Sequence, residues 1–346
     1  MAKASDRRRF FTELLRSSAQ VASQASSALR AGEEFVQAGD LDFWLGSLAR
    51  AEPVRHQVSV QELLTLCEGV GLSADRAAAA QELIRPSVRL TRGGPGTAGS
   101  GASRLGGAPD LPPGFEWPRW RGGELAFLGQ LDLAAVTECI PEAGLPARGL
   151  LLAFYDARRK PSGLEPSHAG SCRVVVAADQ ELLEPAPGER AAFGLCPLVL
   201  SRELTLPPAH SFQLDPLDLD ETESTAWGLL RVRLAEVQGV VPEEHSPGPL
   251  ALHRLLGHAE PVYGREMELD CQLTTNGLDL SEGDGYADPK RDELEPGAAQ
   301  WRLLLQLSSD PELGWDWSDP FGRIYIWIRA DDLLAGEFAR VWPIRQ

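Results

Sequence analysis

The chain has 346 residues, 43% hydrophobic and 24% charged, a globular composition long enough for two domains or for one large domain with an extension. Fifty acidic against 33 basic residues leave a net charge of −17, and an acidic surface of that size repels phosphate backbones, which argues against nucleic acid as a partner. Five scattered cysteines without a C-x-x-C pair, and no apolar run near 18 residues, argue against a disulfide scaffold and a membrane span; they point to a reducing compartment, the cytoplasm.

The charge is uneven. The first 90 residues are balanced, eleven basic to eleven acidic, so the whole acidic excess lies beyond them. The chain opens on Arg7-Arg-Arg-Phe-Phe11, which resembles the core of a twin-arginine export signal, but Ser17–Ser27 is too polar for the apolar region of such a signal. An amphipathic helix fits better, with Phe10, Phe11, Leu14, Leu15, Ala19, Ala22, Ala25 and Leu29 on one side. Phe35 to Leu48 supply anchors for one or two further short helices. Ser59-Val-Gln-Glu62 has the spacing of a capping box and predicts a helix over about 60–68, ended by Gly69 and Gly71. Ser73 caps another helix through the alanines at 77–80, stopped ahead of Pro86. A DNA-reading helix pair would need cations on its second helix, and only Arg76 and Arg85 are there, so this is a packing pair. Residues 1–85 are expected to form an all-helical N-terminal extension.

Residues 92–103 are glycine-rich and read as a linker or exposed loop, with no Lys-Ser/Thr following to make a phosphate cradle. Beyond them short apolar runs alternate with turns. Strands are predicted at Leu125–Leu128, Gly149–Tyr155, Arg173–Ala177, Trp227–Leu234 and Met267–Leu273. In Trp301–Leu307 the odd positions are all apolar, one continuous strand face; Ile324–Ile328 is apolar throughout, as in a strand covered on both sides. The loop between them, Ser308–Gly322, holds Asp310, Glu312, Trp315, Asp316, Trp317 and Asp319. Asp331–Phe338 is a helix capped by aspartate.

An internal echo runs through this part. Phe127–Asp132 followed by Gly149–Phe154 parallels Leu303–Ser308 followed by Gly322–Trp327, and Leu105-Gly-Gly-Ala-Pro109 parallels Leu256-Gly-His-Ala-Glu-Pro261. Three landmarks in one order imply a duplicated unit.

The phrase Leu105-Gly-Gly-Ala-Pro-Asp-Leu-Pro-Pro-Gly-Phe-Glu-Trp-Pro118, with Leu125–Leu133, Met267–Leu273 and Trp301–Arg329, resembles the YwqG-like proteins, a bacterial family of unknown function. The resemblance covers about residues 86–346 and implies an α+β fold of duplicated, mainly antiparallel sheets with few short helices. It implies no agreed activity and carries no catalytic set.

Catalytic chemistry has little anchor. No Gly-x-Ser-x-Gly elbow occurs. His168 lies four residues before Cys172, a spacing open to thiolate activation, but Cys172 begins a strand where a buried thiol is ordinary. His245, His253 and His258 lack the spacing that stacks imidazoles on a helix, and Asp279–Asp288 lacks the ligand alternation of an EF-hand loop, so no metal or other cofactor is expected. Aromatic rings beside carboxylates suit a sugar ring or a cationic peptide. On that ground the candidate binding residues are Trp117, Trp120, Trp315, Asp316, Trp317 and Asp319, displayed at the sheet rims. Two functions follow: a non-catalytic module gripping a protein or peptide, or a carbohydrate or small-molecule enzyme with carboxylates in a cleft between the duplicated halves.

Overall fold

A computed structural model describes residues 58–94, 99–178, 184–186, 191–239, 252–264, 266–318 and 321–346. The helices expected before residue 58, together with His245 and Asp319, lie outside the described residues.

Two helices come first, α1 (Val60–Gly69) and α2 (Ala74–Leu83). Both caps are as expected. Ser59 Oγ accepts the Glu62 N–H at 3.2 Å while Glu62 Oε2 accepts the Ser59 N–H at 2.7 Å, and Ser73 Oγ accepts the Arg76 N–H. The remaining elements, in chain order, are β1 (Arg85–Arg92), β2 (Arg104–Leu105), β3 (Asp110–Leu111), β4 (Arg119–Trp120), β5 (Gly123–Glu124), β6 (Ala126–Asp132), α3 (Leu133–Cys139), β7 (Leu150–Tyr155), β8 (Cys172–Ala177), β9 (Glu184–Pro185), β10 (Cys196–Thr205), α4 (Glu221–Val237), β11 (His253–Leu256), α5 (Met267–Thr275), α6 (Arg291–Leu294), β12 (Trp301–Ser308), β13 (Arg323–Arg329), α7 (Ala330–Ala335) and β14 (Trp342–Arg345).

Two predicted strands are helices. Trp227–Leu234 lies inside α4, where Asp220 and Glu223 form a capping box and Ala226, Trp227, Leu230 and Leu234 line one buried stripe. The apolar run by itself is too short to separate the two periods; the deciding cap lies seven residues upstream. Met267–Leu273 is α5, buried on nearly every side, so it has no one-faced period to read. The C-terminal helix forms as α7, but Arg329 occupies its cap position and no side chain bonds there.

Ten strands make one sheet in the order β14-β13-β12-β11-β1-β10-β2-β6-β7-β8, every neighbouring pair antiparallel. The order reads alike outward from the central β1–β10 ladder. β6 and β12 carry the same irregularity: pairing with β7 skips Leu128, and pairing with β13 skips Leu304. The side chains repeat too. Gln130 Oε1 accepts the Asp110 N–H and its Nε2 donates to Ala102 O; Gln306 Oε1 accepts the Glu260 N–H and its Nε2 donates to Leu252 O. Arg104 donates to Ala108 O as Arg254 does to His258 O. The echo between Phe127–Asp132 and Leu303–Ser308 therefore has one register in sequence and in space. The third landmark is displaced by one residue. Leu105 pairs with Gly129 as Leu255, not Leu256, pairs with Leu305. Gly106 and Leu256 share a left-handed backbone, φ 59° and 61°, and the next residues, Gly107 and Gly257, share another. A leucine in that conformation hides the match, because glycine is the residue that normally fills it.

The sheet curls towards closure around an interior core of Leu128, Leu131, Leu151, Tyr155, Leu304, Leu307, Ile324 and Ile326. Its two edges approach: Arg345 N–H donates to Ser162 O at 3.0 Å, Trp342 Nε1 to Gly163 O at 2.8 Å, and Arg173 to Ala339 O at 3.3 Å. The outer face is covered by Phe115, Trp117 and Trp120 over β6 and β7, and by α5 over β12 and β13. α1, α2 and the turn between them bury Leu63, Cys67, Leu72, Ala77 and Ala80 against Leu206, Leu214 and the Trp227 stripe of α4. β1 follows α2 directly and sits at the middle of the sheet. At the end of the glycine-rich run, Gly101 N–H donates to Asp110, and Ser103 Oγ accepts the Asp132 N–H. Gly101 and Ser103 are thereby tied to the sheet, while residues 99 and 100 just before them are exposed.

Candidate functional site

The four candidate tryptophans fall in two groups on opposite faces of the sheet. Trp315 and Trp317 are each 1% exposed, inside the curled sheet. Their rings lie 5.3 Å apart, Phe193 meets both edge-on at 5.8 and 6.2 Å, Tyr155 meets Trp317, and Trp317 Nε1 donates to Ser308 O. Their expected display at the rim is corrected: the acidic loop turns inward because the curled sheet leaves an interior that two indoles fill. Asp316 stays at the surface, ion-paired with Lys160 at 3.3 Å. Trp117 is half-buried, edge-on to Phe154 at 5.3 Å, with Nε1 donating to Leu125 O. Trp120 is buried, donates to Ala169 O and carries Arg121 over its face at 4.4 Å. These residues do not converge on one site.

Other sequence candidates resolve as structure. His168 Nδ1 accepts the Gly163 N–H, and burial pushes the Cys172 thiol far up, so the two do not form an activated pair. His253 and His258 are buried separately, His258 against Leu83 O at 2.8 Å. No group of three His, Cys, Asp or Glu suited to a metal occurs among the described residues. The seam between the halves is the β1–β10 ladder itself, hydrogen-bonded along its length.

Two adjoining hollows flank α5. The smaller, about 20 Å³, is lined by His210, Ser211, His258, Met267 and Glu268 among others; the larger, about 240 Å³, by Asp215, Leu269, Glu295, Pro296, Ala298 and Ala299. Phe212 and Glu266 line both. Three elements fix the walls. A 3-10 turn, Phe212–Leu217, is capped by Ser211 and anchored through buried Leu214 on the α1–α2–α4 core. α5 is held by Gln272, whose Oε1 accepts Trp301 Nε1 and Arg329 Nη1, both at 3.0 Å. A second 3-10 turn, Glu295–Gln300, is pinned by Ala298 against Leu269 and Leu273.

The electrostatics follow from burial. Glu268 is pushed up to about 7, first by desolvation and then by Glu266 and Asp270, against the pull of Arg85. Arg85 falls to about 10 by burial beside Arg302. Burial holds His258 well below its ordinary value. Glu295 is already paired with Arg291 at 3.2 Å. The hollows sit where the two halves differ most. Asp110 and Glu260 correspond, as do Leu125 and Trp301, yet residues 111–124 separate the first pair and residues 261–300 the second. Sequence reading missed the site because its carboxylates, Asp215, Glu266, Glu268 and Glu295, come from three distant segments. The only local signal was the extra length of the second unit.

A curled, mostly antiparallel α+β sheet with a small acidic, apolar-walled hollow on its flank defines the class. The chain belongs to the family described as Domain of unknown function (DUF1963), which matches residues 103–346. No curated protein matches the chain. The match begins after β1, although that strand lies at the centre of the sheet. No helix among the described residues is long and apolar enough to cross a membrane.

Proposed function

We propose that this is a non-catalytic protein- or peptide-binding module whose receiving surface is the hollow beside α5. The observation that carries the reading is the larger cavity, about 240 Å³, with apolar Phe212, Leu269 and Pro296 on its walls and carboxylates around it. That volume is below the range of pockets that engulf drug-sized ligands, and it suits one side chain of a larger partner. The net charge of −17 supports a partner of opposite sign. Five unpaired cysteines support a reducing, cytoplasmic setting, in keeping with the bacterial YwqG-like resemblance. The test is to pan a displayed peptide library on the full chain and compare it with Ala299→Trp, which fills the hollow from its exposed rim. Enriched peptides that bind the wild type and not the variant support the reading; peptides that bind both equally reject it.

The second reading, an enzyme acting on a carbohydrate or small molecule, is favoured by one observation. Glu268 is poised at about 7, where a carboxyl group serves as general acid or base. Its test is a screen of glycoside and ester substrates. Turnover abolished by Glu268→Gln would favour it, and turnover indifferent to that change would remove Glu268 from any such role.

A further inference from the structure

We propose that two neighbouring turns, Arg119–Arg121 and Arg158–Lys160, form a second docking surface, separate from the hollow, that takes an acidic segment of a protein partner. The chain carries 50 acidic and 33 basic residues, so cations gathered on two short turns are a local exception to its charge. Trp120 ties the turns together. The guanidinium carbon of Arg121 lies 4.4 Å from its ring centre, and that of Arg159 lies 5.8 Å from it. A Cβ at Gly123 would stand 3.3 Å from Arg159 Nη1, so the hairpin and the second turn are in contact.

The backbone holds an arginine where the turn favours other residues. Arg121 and Gly122 join β4 to β5 with positive φ, 46° and 78°. A two-residue hairpin loop with two positive φ values prefers Asn, Asp or Gly at its first position, because a left-handed backbone crowds the Cβ. Lys160 shares that conformation, φ 48°. Two long cations kept against local preference mark a surface maintained for its charge.

The cations are available to a partner. Arg121 and Arg158 are exposed and have no carboxylate partner among the described residues; Arg121 donates to Ser167 O at 3.3 Å. Arg119 and Lys160 hold exposed Glu124 and Asp316 at 3.5 and 3.3 Å. Such surface pairs are worth at most about 1 kcal/mol, so incoming carboxylates can exchange with them. Arg159 stays on buried Asp156 at 2.8 Å and keeps the frame.

Other anions fit worse. Nucleic acid and an anionic membrane extend far past two turns and meet a protein of net charge −17. A single phosphate occupies one arginine fork and leaves the other turn unmatched. Carboxylates strung along a peptide reach both turns, since same-side residues of an extended chain repeat about every 7 Å.

The experiment follows the fluorescence anisotropy of labelled hexaglutamate with the full chain, with hexaglutamine as the neutral control. Salt is set at about 0.01 M and about 0.15 M, where the screening length falls from about 30 to about 8 Å. Hexaglutamate should bind at least about tenfold more tightly than hexaglutamine at low salt, and weaken at the higher salt. Arg121→Asn suits the turn better, so it should melt no lower than the wild type and yet lose about fivefold in affinity. Arg158→Gln should lose a similar factor. Arg148→Gln, which removes an exposed cation at the opposite end of β7, should change nothing, and Ala299→Trp should leave hexaglutamate binding intact. Hexaglutamate bound no better than hexaglutamine would overturn the proposal, and so would equal losses in Arg148→Gln and Arg121→Asn. Inorganic phosphate or phosphatidylglycerol vesicles that displace hexaglutamate at matched ionic strength would overturn the acidic-segment assignment. Loss of hexaglutamate binding in Ala299→Trp would place the peptide in the hollow beside α5 and remove the separate surface.

Discussion

Gln306 stands to β12 as Gln130 stands to β6: each buried amide closes a loop onto its strand by accepting one backbone N–H and donating to one carbonyl. Both are 0% exposed. Replacing Gln306 by leucine would leave the Glu260 N–H without its acceptor, while the Leu252 carbonyl would keep the bond that Ser308 Oγ donates at 3.1 Å. Gln306→Leu and Gln130→Leu should each lower stability by about 1–3 kcal/mol in urea unfolding, the cost of a buried group left unpaired. A loss under about 0.5 kcal/mol at both sites would show that the repeated network does not hold the loops.

Gly106 separates two effects that glycine combines. Gly106 and Gly114 both have positive φ, 59° and 74°, but a Cβ at Gly106 would run into the Gly194 carbonyl, whereas one at Gly114 meets open space. Gly114→Ala should cost about 1–2 kcal/mol from backbone strain alone. Gly106→Ala should cost clearly more, and equal melting temperatures for the two would contradict the close approach of Gly106, just after β2, to Gly194, just before β10.

Trp315 and Trp317 fill the interior, so their removal should first be felt in stability. Trp317→Ala should cost about 3–5 kcal/mol, as large core truncations do. Trp117→Ala, at a half-buried position, should cost less. A Trp317→Ala protein as stable as the wild type would return these rings to the surface.

The helices ahead of β1 share a core with α4. Removing residues 1–85 would uncover Leu206, Leu214, Trp227, Leu230 and Leu234. Cooperative melting should be lost, and Leu63→Ala, which leaves the chain length intact, should cost about 2–5 kcal/mol. A truncated protein that melts in one sharp transition, with Leu63→Ala silent, would separate the helices from the body.

Histidine burial sets an acid limit. His258, His253 and His168 are all lowered from 6.5, each by desolvation first. A lowered folded-state value means that the unfolded chain binds the proton more readily, so stability is present above about 6.5 and is lost as pH falls below it. Each histidine adds a slope of up to about 1.4 kcal/mol per pH unit. Glu268 has the opposite sign: its value is raised from 4.5 to about 7, so its contribution is present below 4.5 and lost as pH rises through 7. Glu268→Gln should therefore stabilise the protein at pH 8 and leave it unchanged near pH 4. Denaturation midpoints from pH 4 to 8 check both signs.

Local chemistry was sufficient for much of the architecture. Ser59 and Glu62 place a helix start by hydrogen bonds within four residues, and the alternation in Trp301–Leu307 places a strand face, because both rules act over one element. The repeat was legible in Gln130 and Gln306, since each must perform the same closure. Three things were settled only in three dimensions. Trp227–Leu234 became a helix because one stripe of it packs on α1 and α2, and Met267–Leu273 because it is buried on nearly every side. Leu256 took a glycine conformation because the strand register required that turn. Trp315 and Trp317 went inside, and Asp215, Glu266 and Glu295 met around one hollow, because curvature of the sheet and packing of distant segments decide what is enclosed. Periodicity along a chain reports the faces of an element; it is silent on how far a sheet curls or which loop fills the space it leaves.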